Sequence, residues 1–124
     1  MFVALQNCSK FFDLSETDEK EVNEIKVKLH LNIAMCFLKM DNMHKVINNC
    51  TDALELDSDN VKALFRRATA YYKEKKIKEA KKDIKHALKI SPEDKALKKL
   101  NAKVDLVIKK QKAKEKKMAQ RMFG

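Results

Sequence analysis

Glycine and proline are nearly absent: 124 residues contain one of each, Gly124 and Pro92. So small a supply leaves little for β-hairpins and tight turns, and it excludes the glycine-rich phosphate loops of nucleotide-binding enzymes. The three cysteines, Cys8, Cys36 and Cys50, are an odd number without CxxC spacing, which argues against a disulfide framework or a zinc site. His30, His44 and His86 have no spacing that suggests a metal site, and no nucleophile lies beside a plausible base. The chain therefore reads as a binding module with no cofactor rather than an enzyme. Apolar runs long enough to span a membrane are also lacking, and no signal peptide is recognisable, so no membrane contact is expected and the expected location is the cytoplasm or the nucleus.

Charge is plentiful and uneven. Residues 1–60 carry 6 lysines against 11 acids, a net −5, whereas residues 61–124 carry 22 basic residues against 7 acidic ones, a net +15. The second half should prefer acidic partners. Lysine dominates, because only Arg66, Arg67 and Arg121 of the 28 basic residues are arginine. Charged residues at 37% beside hydrophobic ones at 44% suit a water-exposed helical array.

The organising stretch is Val61 to Pro92. Val61, Leu64, Ala68 and Tyr71 fall three or four apart and share one face of a helix, while Lys62, Arg66, Thr69 and Lys73 line another. After a short polar turn, Ile77, Ala80, Ile84, Ala87 and Leu88 repeat the spacing, with small alanines that let two helices approach closely. This arrangement resembles the tetratricopeptide repeat, whose period is about 34 residues. Shifting by that period places Ala34 over Ala68, Phe37 over Tyr71, Lys39 over Lys73, Val46 over Ala80, Cys50 over Ile84, Ala53 over Ala87 and Leu54 over Leu88, without a gap.

The expected fold is all-α, a right-handed superhelical array of helix-turn-helix repeats with a long C-terminal capping helix. Residues 1–14, with Phe2, Leu5, Cys8 and Phe12 on one face, read as the second helix of a first repeat whose first helix is missing. Residues 15–58 read as the second repeat. Ser15 and Asp18 mark the start of its first helix, about Glu16 to Met40, along which Val22, Ile25, Leu29, Ile33, Cys36 and Met40 form an apolar stripe. Asp41 is expected to cap the helix Met43–Leu56, and Asp57 to Asn60 to supply the next turn and cap. Residues 59–91 are the third repeat. Ser91-Pro92 then reads as a cap with proline at the first helical position of the capping segment 92–124, where Leu97, Leu100, Val104 and Val107 or Ile108 cover the array's edge.

In such arrays the first helix of each repeat lines a concave groove. Asn32 and Arg66 occupy the same repeat position, and Lys62 lies one turn before Arg66. Together they could hold carboxylates through charge-assisted hydrogen bonds. Lys28, Leu31, Met35, Lys39, Phe65, Thr69, Tyr72 and Lys73 are the other candidate groove residues. The segments LNIAMCFLK, VKALFRRA and QKAKEKKMAQRMF resemble the C-terminal repeat domain of FKBP-type immunophilins. That resemblance implies a carboxylate clamp for the acidic Met-Glu-Glu-Val-Asp tail of the ninety-kilodalton heat-shock chaperone, with Asn32 as the second-repeat amide and Lys62 and Arg66 as the third-repeat cations. It also implies a peptidyl-prolyl isomerase domain upstream in the parent protein. The family draws a further lysine and asparagine from the first-repeat helix for which this chain has no counterpart.

The Lys-rich tail from Lys103 to Phe123 has three readings, a solvated helix end, a calmodulin target with Val104, Ile108, Met118 and Phe123 as anchors, or a nucleic-acid contact. A solvated end is the commonest case, and the lack of interleaved aromatics argues against nucleic acid. Self-association is a further expectation, since a first repeat without its first helix leaves Phe2, Leu5 and the face from Leu29 to Ile33 uncovered.

Overall fold

The computed structural model describes residues 16–123. They form five α-helices and, within that range, no strand: α1 (Glu16–Lys39), α2 (Met43–Leu56), α3 (Val61–Lys73), α4 (Ile77–Ile90) and α5 (Lys95–Phe123). The helix expected at residues 1–14 and the start signal at Ser15 lie outside the described residues. Each helix packs on the next, and α1, α3 and α5 also touch one another in succession, so they form one layer and α2 and α4 the other. This is a helix-turn-helix repeat array closed by a long C-terminal helix.

With no internal glycine, the chain reverses direction by other means, and it does so identically in both repeats. Asp41 and Lys75, 34 positions apart, take left-handed backbone with φ of 61° and 62°. At the end of α1 the Asp41 N–H donates to the Leu38 carbonyl at 3.2 Å and the Asn42 N–H to that of Phe37 at 2.9 Å. At the end of α3 the Lys75 N–H donates to Tyr72 at 3.1 Å and the Lys76 N–H to Tyr71 at 2.8 Å. This is the bonding that glycine ordinarily permits at a helix C-terminus. It corrects the expectation for Asp41: this residue ends α1, and Asn42 caps α2, its side-chain oxygen accepting the Lys45 N–H at 3.3 Å.

The turns between repeats also match. The Asp57 N–H closes α2 on Ala53, and the Asn60 side chain accepts the Ala63 N–H at 3.0 Å to open α3. Thirty-four residues on, the Ser91 N–H closes α4 on Ala87, and the Asp94 carboxylate accepts the Leu97 N–H at 3.1 Å to open α5. Ser91 is thus not the cap of the last helix and Pro92 is not its first residue. Both sit in the turn: the Asp94 N–H, three residues after Ser91, donates to the Ser91 carbonyl at 3.2 Å, and it is the Asp94 carboxylate that meets the first free N–H of α5.

Small residues bring the helices together. Ala34, Ala53, Ala63, Ala68, Ala70, Ala80 and Ala87 are all at 0% exposure, and Val46, Cys50, Ile84, Leu97 and Val104 are the largest side chains fully buried beside them. In α1 the buried stripe is Val27, Leu31 and Ala34, not the one read from sequence, and Ile25 and Met40 remain 56% and 70% exposed. Two helical stripes of similar apolarity ran along α1, and packing by α2 and α3 selected one.

The same register shows how the array stops. Val27 and Val61, and likewise Leu31 and Phe65, are equivalent positions at which α1 and α3 bury side chains in the core. Their counterparts in α5 are Lys95 and Lys99, both exposed. That outer face is polar, as a terminal cap must be. Facing inward, α5 buries Leu97, Leu100 and Val104, with Val107 and Ile108 partly buried, and from residue 109 onward every residue of the helix is exposed.

Two outcomes are expected. A left-handed residue other than glycine costs about 1–2 kcal/mol, and glycine's extra freedom when unfolded offsets about 0.5–1 kcal/mol of any gain. Lys75→Gly should therefore raise the urea-unfolding free energy by roughly 0.5–1 kcal/mol, and Asp41→Gly by less, since aspartate tolerates this region better. Burial pushes the Cys50 thiol from 9.0 up to about 11. Native protein should therefore be alkylated by iodoacetamide at exposed Cys36 and not at Cys50, read by peptide mass spectrometry. Because the unfolded thiol ionises first, the stability that depends on Cys50 remaining protonated is intact below pH 9 and lost as pH rises toward 11.

Candidate carboxylate-binding groove

The groove is built on α1 and α3, whose equivalent positions Lys28 and Lys62, Asn32 and Arg66, Met35 and Thr69, and Lys39 and Lys73 recur at the 34-residue period. Lys28, Asn32, Lys39, Lys62 and Lys73 are exposed, and Met35, Arg66 and Thr69 are partly buried. The side chains of Lys28, Asn32, Lys39, Lys62 and Lys73 make no hydrogen bond or ion pair with any of the described residues. Their donors are available to a ligand. Thr69 is not: its hydroxyl donates to the Phe65 carbonyl at 2.8 Å within α3.

Arg66 is held. Its Nη1 donates to the Leu31 carbonyl oxygen in α1 at 2.8 Å, tying the guanidinium beside Asn32 and leaving its remaining N–H groups for other acceptors. The expected trio of Asn32, Lys62 and Arg66 is thus brought to adjoining helices, with Arg66 anchored and the other two free. Leu31 offers little surface to the groove, though it borders an open cleft. It is 6% exposed and belongs to the core. Phe65 and Tyr72 are likewise partly buried against α4 and α5, because the side of each first helix that faces the next one must supply packing.

A cleft of about 970 Å³ opens beside the trio, between the N-terminal half of α1 and the segment from Leu56 to Lys62. Val27, Leu31, Leu56 and Val61 give it an apolar lining, Lys20, Lys28 and Lys62 contribute cations, and Glu19, Glu24, Asp57 and Asp59 contribute carboxylates. The cleft exists because α1 begins many residues ahead of the position equivalent to the start of α3. Its carboxylates were not foreseen, since the residues that supply them are far apart in sequence. No group of three or more His, Cys, Asp or Glu residues able to hold a metal occurs among the described residues.

The sequence reading also passed over Arg67. Its Nε and Nη2 donate to the two carboxylate oxygens of Asp83 in α4, both at 2.7 Å, and its Nη1 to the Thr51 hydroxyl in α2 at 3.2 Å. That bonding to Asp83 pushes the guanidinium pKa further up, against the opposing effect of burial. A usable signal was present, because arginine is rare in this chain and Asp83 sits next to the buried stripe of α4.

A family model described as "Tetratricopeptide repeat" matches residues 61–94. The chain is 38% identical over 109 residues to the peptidyl-prolyl cis-trans isomerase FKBP4 of Bos taurus, a match that covers 88% of this chain and 24% of that protein. Among solved structures, the Arabidopsis OM64 TPR domain is 31% identical with a TM-score of 0.64, covering 72% of this chain and 74% of that one. The second TPR domain of human RPAP3, solved with the HSP70 peptide SGPTIEEVD, is 28% identical with a TM-score of 0.62 over 72% of this chain and 80% of that one. UNC-45 of C. elegans, solved with a Hsp90 peptide, is 29% identical with a TM-score of 0.63 over 76% of this chain and 12% of that one. Period, turn geometry and comparisons agree: the chain belongs to the tetratricopeptide-repeat family, and within it is similar to the FKBP-type isomerases.

Proposed function

We propose that this domain binds the acidic, carboxylate-terminated tail of the ninety-kilodalton heat-shock chaperone, as a co-chaperone module that brings the isomerase domain of a longer parent protein to chaperone clients. The observation that carries the reading is the set of unpaired donors on adjoining helices, Lys28, Asn32 and Lys62, beside an Arg66 already fixed in place by Leu31. Two carboxylates at the end of an Asp-terminated peptide match a lysine, an amide and a guanidinium in charge and in hydrogen-bonding capacity. Met35 supplies an adjacent apolar contact. The relatives solved with chaperone peptides support the same chemistry.

The test is calorimetric titration with a Met-Glu-Glu-Val-Asp peptide and with the same peptide amidated at its C-terminus. Only the free-carboxylate form should bind. Lys62→Ala and Arg66→Ala should each weaken it by roughly 1.5–3 kcal/mol, the range for hydrogen bonds to charged groups. Equal affinity for both peptides, or unchanged affinity in both variants, would sink the clamp.

A second reading rests on the exposed end of α5, where Met118, Met122 and Phe123 are 57%, 74% and 89% exposed among lysines. Such a helix end fits a calmodulin groove. Calcium-dependent binding of calmodulin to the full chain, lost in a chain ending at Lys110, is the expected result; binding that survives the truncation would reject it.

A further inference from the structure

Arginine is used sparingly here, 3 residues against 25 lysines, yet two arginines stand side by side at the centre of α3. Successive helical residues point about 100° apart, and the structure spends both guanidinium groups on neighbouring helices in different directions. Arg66 reaches the Leu31 carbonyl in α1, while Arg67 joins Asp83 in α4 and Thr51 in α2. Asp83, at 5% exposure, is the one buried charged residue among those described. A lysine could not make the same contacts, since its single ammonium lacks the planar fork that meets both carboxylate oxygens and the hydroxyl together.

What these bonds fix is the rotation of α3 about its own axis. Ala63, Ala68 and Ala70, all at 0% exposure, let α3 approach its neighbours closely, Leu64, Phe65 and Tyr71 pack its larger side chains against them, and the bonds of Arg67 add a directional restraint that apolar contacts lack. At the outer radius of a helix, about 5–6 Å, a 20° turn displaces a side chain by roughly 2 Å. That is enough to spoil hydrogen bonds from Lys62 and Arg66 to one carboxylate. We infer that Arg67 is a positioning residue for the groove: by clasping Asp83 and Thr51 it sets the rotation of α3 that presents Lys62 and Arg66 beside Asn32. The binding consequence rests on the carboxylate-clamp reading; the orienting role does not.

The experiment compares Arg67→Lys, which keeps the charge and removes the fork, and the milder Thr51→Val with Val104→Ala, a core substitution in α5 that leaves these bonds intact. All are studied at a temperature where circular dichroism shows them fully helical. Two quantities are read: the NMR signal of the Arg66 guanidinium Nε–H without peptide, and the Kd for the free-carboxylate peptide. Arg67→Lys should shift the Arg66 signal and weaken binding about tenfold, as expected for misplaced contacts. Thr51→Val should move both the same way by less, and Val104→Ala should move neither even though it lowers Tm. An unmoved Arg66 signal in Arg67→Lys overturns the orienting role. A shifted signal with affinity no weaker than in Val104→Ala overturns its consequence for binding. If the wild-type domain fails to distinguish free from amidated peptide, the clamp reading fails, and the peptide-free Arg66 signal still decides whether Arg67 orients α3.

Discussion

Close approach of helices is the condition on which the rest depends. None of the shorter helices can bury its apolar face alone, and an array of this kind is held only by what each helix shares with its neighbours. Seven fully buried alanines distributed over α1, α2, α3 and α4 make that sharing possible. Larger residues at those points would separate the layers and leave Ile84, Val46 and Cys50 without partners. From the close approach follow the short connections, and from these the identical turns at Asp41 and Lys75 and the identical caps at Asn60 and Asp94.

Polar contacts then distinguish one helix from the next. α3 is the most constrained, joined to α1 through Arg66 and to α2 and α4 through Arg67. α5 is attached to α4 by Lys81, which reaches both Asn101 and Asp105 at 2.7 Å. Exposed lysines elsewhere carry charge without such geometry. Arg67 shows what arginine adds: it stands where both oxygens of a carboxylate and a hydroxyl are met by one planar group, which a lysine ammonium cannot do. In the groove the two are combined, an anchored guanidinium beside free ammonium groups.

Much of the fold was legible because the repeat imposes one register on several kinds of signal. Apolar spacing, alanines, polar turns and the substitution of lysine at the outer face of α5 all recur or change at multiples of the same offset. The candidate site was legible for a related reason, since Asn32 and Arg66, and Lys28 and Lys62, are equivalent positions. Less could be read where equivalence gave no guidance. Ser91 and Asp94 both have capping chemistry, and only the hydrogen bonds of the turn chose between them. Phe65 and Tyr72 lie near groove positions and are partly buried by neighbouring helices, while Leu31, a core residue, also borders the cleft.

By itself the sequence determined that the chain is helical, that its helices pair at a 34-residue period, where the array ends, and which polar residues fall on one face of the first helices. These are properties of spacing, and spacing is written in the chain. Tertiary structure decided which of two apolar stripes on α1 is buried, that Arg66 is anchored while Lys62 is free, and that Arg67, Asp83 and Thr51 meet. Those outcomes depend on helix rotation and on side chains from separate helices competing for the same space, which no local periodicity encodes.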